Sequence, residues 1–341
     1  MRASLRTLVA IVLAVALVAV FLRNADLSHV WLAMRGARLD LLVAATVLTV
    51  VTFVIRAERW QYLLEPLGRT RFGSAFRATV IGFAASSVLP GRVGELLRPY
   101  LLARREGLSA TATFATIIVE RVFDLLAVLL LLGTYLVLFD PGMAARDSVV
   151  FAGVRLGGLI MAPVALVALG VMYVLAGHPE WLQAALGMAE RHLPARLAGL
   201  LASAARLFAD GFGVLRRPAR VAASLGWSLV LWLVICAETW MVARAFGLQM
   251  PFVGSWLMLA LLVVGVSLPT PGGVGGLHEA FRLGATAFFG ADNDAAVGAA
   301  ILLHATQFAP VTLMGLWYAA REGLDMRAME RLATSPAEVK T

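Results

Sequence analysis

Long apolar runs separated by short charged connections dominate the chain. Six runs are long enough to cross the roughly 30 Å of hydrocarbon in a bilayer as helices, and two shorter runs each end in a proline and glycine motif. The long runs cover residues 7–22, 40–55, 110–139, 149–176, 220–246 and 295–320, and the shorter ones cover 72–90 and 252–270. This pattern predicts an all-α polytopic membrane protein with about six transmembrane helices and two re-entrant hairpins.

Two parts of the chain carry nearly the same motifs in the same order, about 180 residues apart. The pairs are Ala57-Glu58-Arg59-Trp60 with Ala237-Glu238-Thr239-Trp240, Gly73-Ser74 with Gly254-Ser255, and Pro90-Gly91 with Pro271-Gly272. Similar apolar runs separate the motifs in both copies. An internal duplication explains this agreement, and repeats whose helices are broken by proline and glycine indicate a substrate site where the repeats meet.

Basic residues predict the orientation of the chain. The sequence is 60% hydrophobic and 15% charged, with a net charge of +8. In a membrane protein such charge is first a topology signal, so no nucleic-acid partner is expected. Arginines cluster before the first run, around the first hairpin and in the central linker, which predicts a multi-pass plasma-membrane protein with both termini in the cytoplasm. Two crossings between the repeats then make the repeats inverted.

The predicted organisation is a single membrane domain over residues 1–341. Its segments are a first span and connector (1–38), repeat A with its hairpin (39–108), two spans (109–177), an amphipathic cytoplasmic linker (178–218), repeat B with its hairpin (219–290), a last span (291–320) and a cytoplasmic tail (321–341). The linker alternatively is a solvated connector.

The first hairpin motif combines a sharp turn with charge. Pro90 stops the incoming helix, and Gly91 and Gly94 permit tight turning and close backbone approach. The next helix then begins within the membrane, where its free N–H groups favour an anion. Arg92 and Arg98 suit phosphate oxygens, while Glu95 orients them or carries a proton. Alternatively, the three side chains neutralise one another within the hairpin.

The second hairpin motif has a similar backbone and less positive charge. Pro271, Gly272, Gly273 and Gly275 form its predicted turn, and Gly273 takes the place of Arg92. Its charged residues, Glu279 and Arg282, come further along and are candidate substrate contacts. No βαβ unit surrounds the glycines, so a dinucleotide site is not expected.

Three ionisable residues lie within the apolar run 110–139. Glu120, Arg121 and Asp124 would each cost about 2.5–3.5 kcal/mol if they faced lipid, so they must face protein or water. Glu120 and Asp124 share a helical face, which calls for a cation from another element, such as Arg92 or Arg98. A structural ion network and a headgroup or proton site both fit. His304 in the last run is a further candidate for the same cavity, or a structural histidine.

Each repeat also places a glutamate two residues before a tryptophan. Trp60 and Trp240 are predicted to lie at the membrane interfaces as belt residues. Glu58 and Glu238 are then partners for arginines at helix ends, or control access to the cavity.

Taken together, these motifs resemble the lysylphosphatidylglycerol synthase transmembrane-region family, the flippase-like membrane half of the multiple peptide resistance factor. The resemblance runs from about residue 40 to 320. It rests on Arg56-Ala57-Glu58-Arg59-Trp60 with Leu63-Leu64, Pro90-Gly91-Arg92-Val93-Gly94-Glu95 with Arg98, Glu120-Arg121 with Asp124, and Pro271-Gly272-Gly273-Val274-Gly275 with Glu279. It implies a link to lipid translocation. The soluble aminoacyl-transferring domain of the full-length synthase is not expected here.

These observations favour translocation of a phosphate-bearing lipid across the plasma membrane. The alternatives are an accessory membrane subunit of lipid or cell-envelope biosynthesis, and an intramembrane enzyme acting on a lipid-linked substrate. The leading interpretation expects no enzymatic activity, cofactor or metal. The expected partner is a lipid with an anionic or phosphate-bearing headgroup, with a homodimer or a lipid-biosynthesis enzyme as a further possible partner. The expected substrate contacts are Arg92, Glu95, Arg98, Glu120, Arg121, Asp124, Glu279, Arg282 and His304.

Overall fold

The structure, a computed structural model, describes residues 2–89, 93–139, 149–177 and 209–324. Within these ranges the chain forms eleven α-helices, two 3-10 turns and no strand, which confirms the predicted all-α polytopic architecture. The helices are α1 (Arg2–Leu22), α2 (Leu27–Gly36), α3 (Leu39–Leu64), α4 (Phe72–Val88), α5 (Gly94–Glu106), α6 (Ala110–Leu138), α7 (Val149–Gly177), α8 (Pro218–Ala245), α9 (Gly254–Ser267), α10 (Gly276–Phe289) and α11 (Asn293–Arg321). The 3-10 turns are Gly213–Arg216 and Pro271–Gly273.

Each of the eight predicted apolar runs forms a helix, but the number of crossings stays a prediction. Four helices, α3, α7, α8 and α11, are long and apolar enough to cross a membrane. A fifth candidate is the pair of α1 and α2, which meet at 84°. The remaining predicted crossing is α6, a 29-residue helix that carries Glu120, Arg121 and Asp124. Its place in a membrane depends on how those charges are shielded.

Helices α4 and α5 form the first hairpin. Gly82 of α4 lies against Gly94 and Arg98 of α5, and a Cβ on Gly94 would overlap the carbonyl oxygen of Gly82. Thr79, one turn earlier on α4, contacts Arg98, so the two arms run antiparallel. Glycine is required at these positions because it lets two helix backbones touch.

Helices α9 and α10 form the second hairpin with the same close contact. A Cβ on Gly265 would collide with the carbonyl oxygen of Gly276 and with Ala280. The turn between these arms uses Gly272, Gly273 and Gly275 at positive φ of 59°, 70° and 83°, a region that favours glycine. The second hairpin therefore has the same backbone contacts as the first. Its Gly265, Gly276 and Ala280 take the positions of Gly82, Gly94 and Arg98.

The four helices α3 to α6 recur in order as α8 to α11, each set being a long helix, two hairpin arms and a long helix. The leading helices α3 and α8 run antiparallel along their whole length. At one end Arg38 N–H donates to the Ala245 carbonyl at 3.0 Å, and at the other Arg220 pairs with Glu65 at 3.3 Å.

The packing partners of the two repeats are exchanged. Helix α11 packs on α3 and α4, and α6 packs on the equivalent helices α8 and α9. A two-fold axis relating the repeats would produce this exchange. The orientation of that axis relative to a membrane, and hence the inverted topology, stays a prediction.

Three predicted features fall outside the described residues. They are the turn Pro90-Gly91-Arg92, the linker from 178 to 208 and the tail from 325 to 341. The described end of the linker, residues 209–217, contains the 3-10 turn Gly213–Arg216, which packs against α7 and α8.

Candidate functional site

A cavity of about 370 Å³ lies where the two repeats meet. Its wall draws on both leading helices, both hairpins, α6 and α11, and Gly272 of the second turn packs beside Ser87 near the end of α4. The polar lining residues are Thr49, Thr52, Arg56, Ser86, Ser87, Glu95, Arg98, Arg121, Asp124, Trp232, Glu238, Ser267, Thr270 and Gln307. The two hairpins thus meet beside a polar space that lies between apolar helices.

Glu120 lies at the centre of an ion network beside the cavity. Its side chain is fully buried. Its Oε1 accepts hydrogen bonds from Arg98 Nη1 at 2.9 Å and Arg121 Nη2 at 2.8 Å, and Arg59 Nη2 lies 3.2 Å away. Three arginines compensate one carboxylate, which satisfies the requirement for buried charges to be paired.

Asp124 extends the network along the same face of α6. Arg59 Nη1 donates to Asp124 and also to Ser228 Oγ, the latter at 2.8 Å. Trp232 Nε1 donates to the same carboxylate at 3.0 Å. The cation between Glu120 and Asp124 does come from another element, but it is chiefly Arg59 of α3, with Arg98 reaching Glu120 alone.

Arg98 is held by three different kinds of contact. Its Nε donates to Thr79 Oγ1 at 3.2 Å, its Nη1 contacts Glu120, and its guanidinium carbon lies 3.9 Å from the centre of the Trp60 ring. Its buried Nη2 has no hydrogen-bond partner among the described residues. The stacking limits the motion of the guanidinium plane, so this donor is presented in a fixed orientation.

The prediction that Trp60 anchors the chain at the interface is wrong. The ring is completely buried, and its Nε1 donates to Thr116 Oγ1 at 3.0 Å. Helix α3 continues past the predicted end of its apolar run to Leu64, and α6 covers this final part. Trp60 is therefore a platform for Arg98. Trp240 of the second repeat is partly exposed, and its Nε1 donates to the Met250 carbonyl at 3.1 Å. Its predicted place at a membrane interface stays a prediction.

Arg56 is a site residue that the sequence analysis missed. It lines the cavity and is 8% exposed. Its guanidinium carbon lies 5.0 Å from the centre of the Phe83 ring and 5.8 Å from that of Phe53. Neither its Nε nor its Nη1 has a hydrogen-bond partner within the described ranges. A buried cation with unused donors beside a cavity is a ready anion-binding group.

Glu238 brings a carboxylate of the second repeat into the same cavity. It is 2% exposed. Thr52 Oγ1 donates to its Oε1 at 2.8 Å, and Gln307 Nε2 approaches its Oε2 at 3.4 Å. The equivalent Glu58 of the first repeat is exposed on the surface of α3. The repeats are thus alike in backbone and different in chemistry.

Apart from His304, the predicted substrate contacts divide into three groups. Glu95, Arg98, Arg121 and Asp124 line the cavity, and Glu120 lies directly behind its wall. Arg92 lies outside the described residues. Glu279 and Arg282 pair with each other at 2.6 Å, and Arg282 also binds Asn293, so the structure does not bring them to the cavity. Their one-turn spacing on α10 explains why they satisfy each other locally.

His304 stabilises the second hairpin turn. Its Nε2 lies 2.8 Å from the Gly272 carbonyl, and its ring stacks on Phe308 with centroids 4.4 Å apart. His278 lies 4.7 Å away, centroid to centroid, and its Nδ1 accepts from Gly275 N–H. The predicted contact of His304 with substrate remains a prediction, because the ring reaches the cavity only through the backbone of the turn.

In the described parts of the chain, no three or more His, Cys, Asp or Glu side chains come together in a group that could hold a metal ion. The cavity wall presents arginine donors, carboxylates, hydroxyls, an amide and aromatic faces.

Comparison with known proteins identifies the family. Residues 7–315 match the family described as the lysylphosphatidylglycerol synthase TM region. The chain belongs to this family. The match includes α1, which the resemblance from motifs left out. Membership in the lysylphosphatidylglycerol synthase transmembrane family supports a membrane protein of lipid or envelope biosynthesis.

Two curated relatives match the family member over shorter stretches. Glycosyltransferase AglD of Haloferax volcanii is 35% identical over 138 residues, which are 40% of this chain and 21% of that protein. UPF0104 membrane protein MJ1595 of Methanocaldococcus jannaschii is 28% identical over 88 residues, which are 25% of this chain and 26% of that protein. The matched stretches thus cover about a fifth and about a quarter of these relatives.

Proposed function

We propose that the protein translocates a phosphate-bearing lipid across the plasma membrane, with both termini in the cytoplasm. The headgroup passes through the cavity between the repeats while its acyl chains stay in hydrocarbon. Family membership supports a lipid as the substrate. The single observation that carries the proposal is Arg56, a buried arginine whose Nε and Nη1 lack a hydrogen-bond partner among the described residues and which lines the same cavity as Arg98.

The two arginines have different roles in this proposal. Arg98 is fixed by Trp60, Thr79 and Glu120, so it offers one rigid donor to a phosphate oxygen. Arg56 has two aromatic neighbours and no ion-pair partner among the described residues, so its charge is available to the ligand. Planar guanidinium groups suit phosphate oxygens. Glu120, Asp124 and Arg59 hold the frame in place.

Reconstituted liposomes test this function. Purified protein is placed in vesicles that contain a fluorescent phosphatidylglycerol analogue, and loss of fluorescence to an added membrane-impermeant quencher reports movement between leaflets. We expect Arg56→Gln to slow translocation by about tenfold or more, because a hydrogen bond to a charged group contributes about 1.5–3 kcal/mol. Arg38→Gln is the matched control, since Arg38 is exposed and pairs with Asp40 away from the cavity. Wild-type rates in correctly folded Arg56→Gln protein would remove the proposed role of Arg56.

One alternative has support of its own. The partial match to a protein named as a glycosyltransferase favours an accessory membrane role beside an enzyme that builds the cell envelope. The basic linker of residues 178–218 is the candidate docking segment. Deleting residues 178–208 of this linker, which spares the packed 3-10 turn Gly213–Arg216, would then abolish envelope synthesis in cells while leaving translocation by the purified protein intact. Mass spectrometry of the vesicle lipids separates both proposals from intramembrane catalysis, because catalysis changes the lipid and translocation does not.

A further inference from the structure

Unlike Glu120 and Asp124, Glu238 has no cation at ion-pair distance among the described residues. Glu120 and Asp124 each contact arginines at ion-pair distance. In the described structure Glu238 is hydrogen-bonded by Thr52 and approached by Gln307, a hydroxyl and an amide. A buried ionised carboxylate without a cation is costly, whereas its protonated form is not. The contacts of Glu238 therefore suit a group that changes its protonation state.

The charges around the cavity indicate how protonation of a carboxylate would affect the binding of an anion. The described groups that line or directly support it are four arginines and four carboxylates, so their charges cancel when all are ionised. They are Arg56, Arg59, Arg98 and Arg121 with Glu95, Glu120, Asp124 and Glu238. Protonation of one carboxylate leaves one net positive charge, which complements a phosphodiester.

Glu238 is well placed to be that carboxylate because of the groups around it. From α3 it faces Arg56, and from α6 the cavity also receives Arg121 and Asp124. Helix α9 contributes no ionisable side chain. From α11, Gln307 approaches Glu238, whereas His304 contacts the Gly272 carbonyl. Arg216 belongs to the 3-10 turn that packs on α8.

We propose that Glu238 binds and releases the proton that accompanies the phosphate group through the cavity. This inference rests on the proposed function. A phosphate bound at Arg56 neutralises the nearest positive charge to Glu238, and its own negative charge favours the protonated carboxyl. One Glu238 oxygen then takes a proton from water on the side where the headgroup enters. When the headgroup leaves, Arg56 regains its charge and the proton returns to water on the other side.

Thermodynamic linkage makes this coupling measurable in both directions. If phosphate binding promotes protonation of Glu238, then protonation strengthens phosphate binding by the same factor. Affinity for a phosphodiester lipid should therefore increase as pH falls. Coupling to a single proton limits the change to at most about tenfold per pH unit.

Binding of phosphatidylglycerol to the purified protein at about pH 5 to about pH 9 tests the inference. We expect wild-type affinity to rise toward acid pH and Glu238→Gln to bind with a pH-independent affinity close to the acid limit, because glutamine mimics the protonated side chain. Glu58→Gln, at the equivalent and exposed position of the first repeat, should keep the wild-type pH profile. Infrared difference spectra across the same pH range should show a carboxylic C=O band that Glu238→Gln lacks.

The possible results separate this inference from the proposed function. A wild-type affinity that does not change with pH, or an unchanged pH profile in folded Glu238→Gln protein, would overturn the proton-binding role. Absence of the infrared band would do the same. If the band is present but wild-type protein neither binds nor moves phosphatidylglycerol at any pH, the proton site stands and the translocation proposal fails.

Discussion

At the scale of single residues, one carboxylate organises the charged part of the site. Glu120 contacts Arg59, Arg98 and Arg121, which come from α3, α5 and α6. Removing it leaves three arginines in a region where Asp124 is the remaining partner for two of them. The positions of the arginines that we propose as phosphate-binding groups therefore depend on Glu120.

Replacing Glu120 by glutamine should lower the free energy of unfolding by about 3–5 kcal/mol, the usual cost of leaving buried charges uncompensated. Thermal unfolding in detergent measures the change. Asp40→Asn serves as the control, because Asp40 pairs with Arg38 on the exposed start of α3 and its loss should leave the unfolding midpoint unchanged. Equal midpoints for Glu120→Gln and wild type would mean that the network does not stabilise the fold.

The residues that sequence reasoning found and missed differ for a physical reason. Glu120, Arg121 and Asp124 stand out because they interrupt a long apolar run. Arg56 and Arg59 follow the apolar run 40–55 and were counted among the arginines around the first hairpin that predict the orientation of the chain. They lie within α3 because that helix continues to Leu64 and is covered there. A single sequence shows that a charge needs a partner, but it does not show which helix supplies the partner.

At the scale of elements, the two hairpins are built around touching glycines. The backbone contact of Gly82 with Gly94 brings Arg98 against α4, where Thr79 and Glu120 hold it. The motifs predicted the hairpins from Pro90 and Pro271. They predicted close backbone approach at Gly94 but did not identify its partner, because Gly82 lies in the middle of an apolar helix and no turn motif marks it.

Gly94→Ala should destabilise the first hairpin, because the added Cβ would overlap the Gly82 carbonyl oxygen. We expect a lower yield of folded protein in membranes and a lower unfolding midpoint. Gly133→Ala on α6 is the matched control: a Cβ there meets no atom within 4 Å, and alanine favours a helix over glycine. If the two variants behave alike, the hairpin arms do not need this close approach.

At the scale of the whole molecule, the antiparallel packing of α3 and α8 places the C-terminal ends of these two helices at opposite ends of the pair. Glu65 follows α3 and lies beside Arg220 at the start of α8, whereas Gln249 follows the other end of α8. If α3 and α8 both cross the membrane, Glu65 and Gln249 lie on opposite sides. This arrangement is what inverted repeats require.

Cysteine labelling tests the inverted topology. Cys236 is the single cysteine of the chain and is buried, so Cys236→Ala provides the background. In intact cells a membrane-impermeant maleimide should label Gln249→Cys, on the predicted outer side, and should reach Glu65→Cys only after the membrane is opened. Both positions are exposed in the structure. Labelling of both from the same side would exclude inverted repeats.

The same glycine contact carries an arginine in one repeat and an alanine in the other, Arg98 against Gly82 and Ala280 against Gly265. In a carrier made of two identical inverted halves, a two-fold rotation would convert the inward-facing conformation into the outward-facing one, and the two would be equally populated at rest. Placing the charge on one half removes that degeneracy. The empty protein should consequently favour one facing direction, and the preference is set by the difference between its two halves before any substrate arrives.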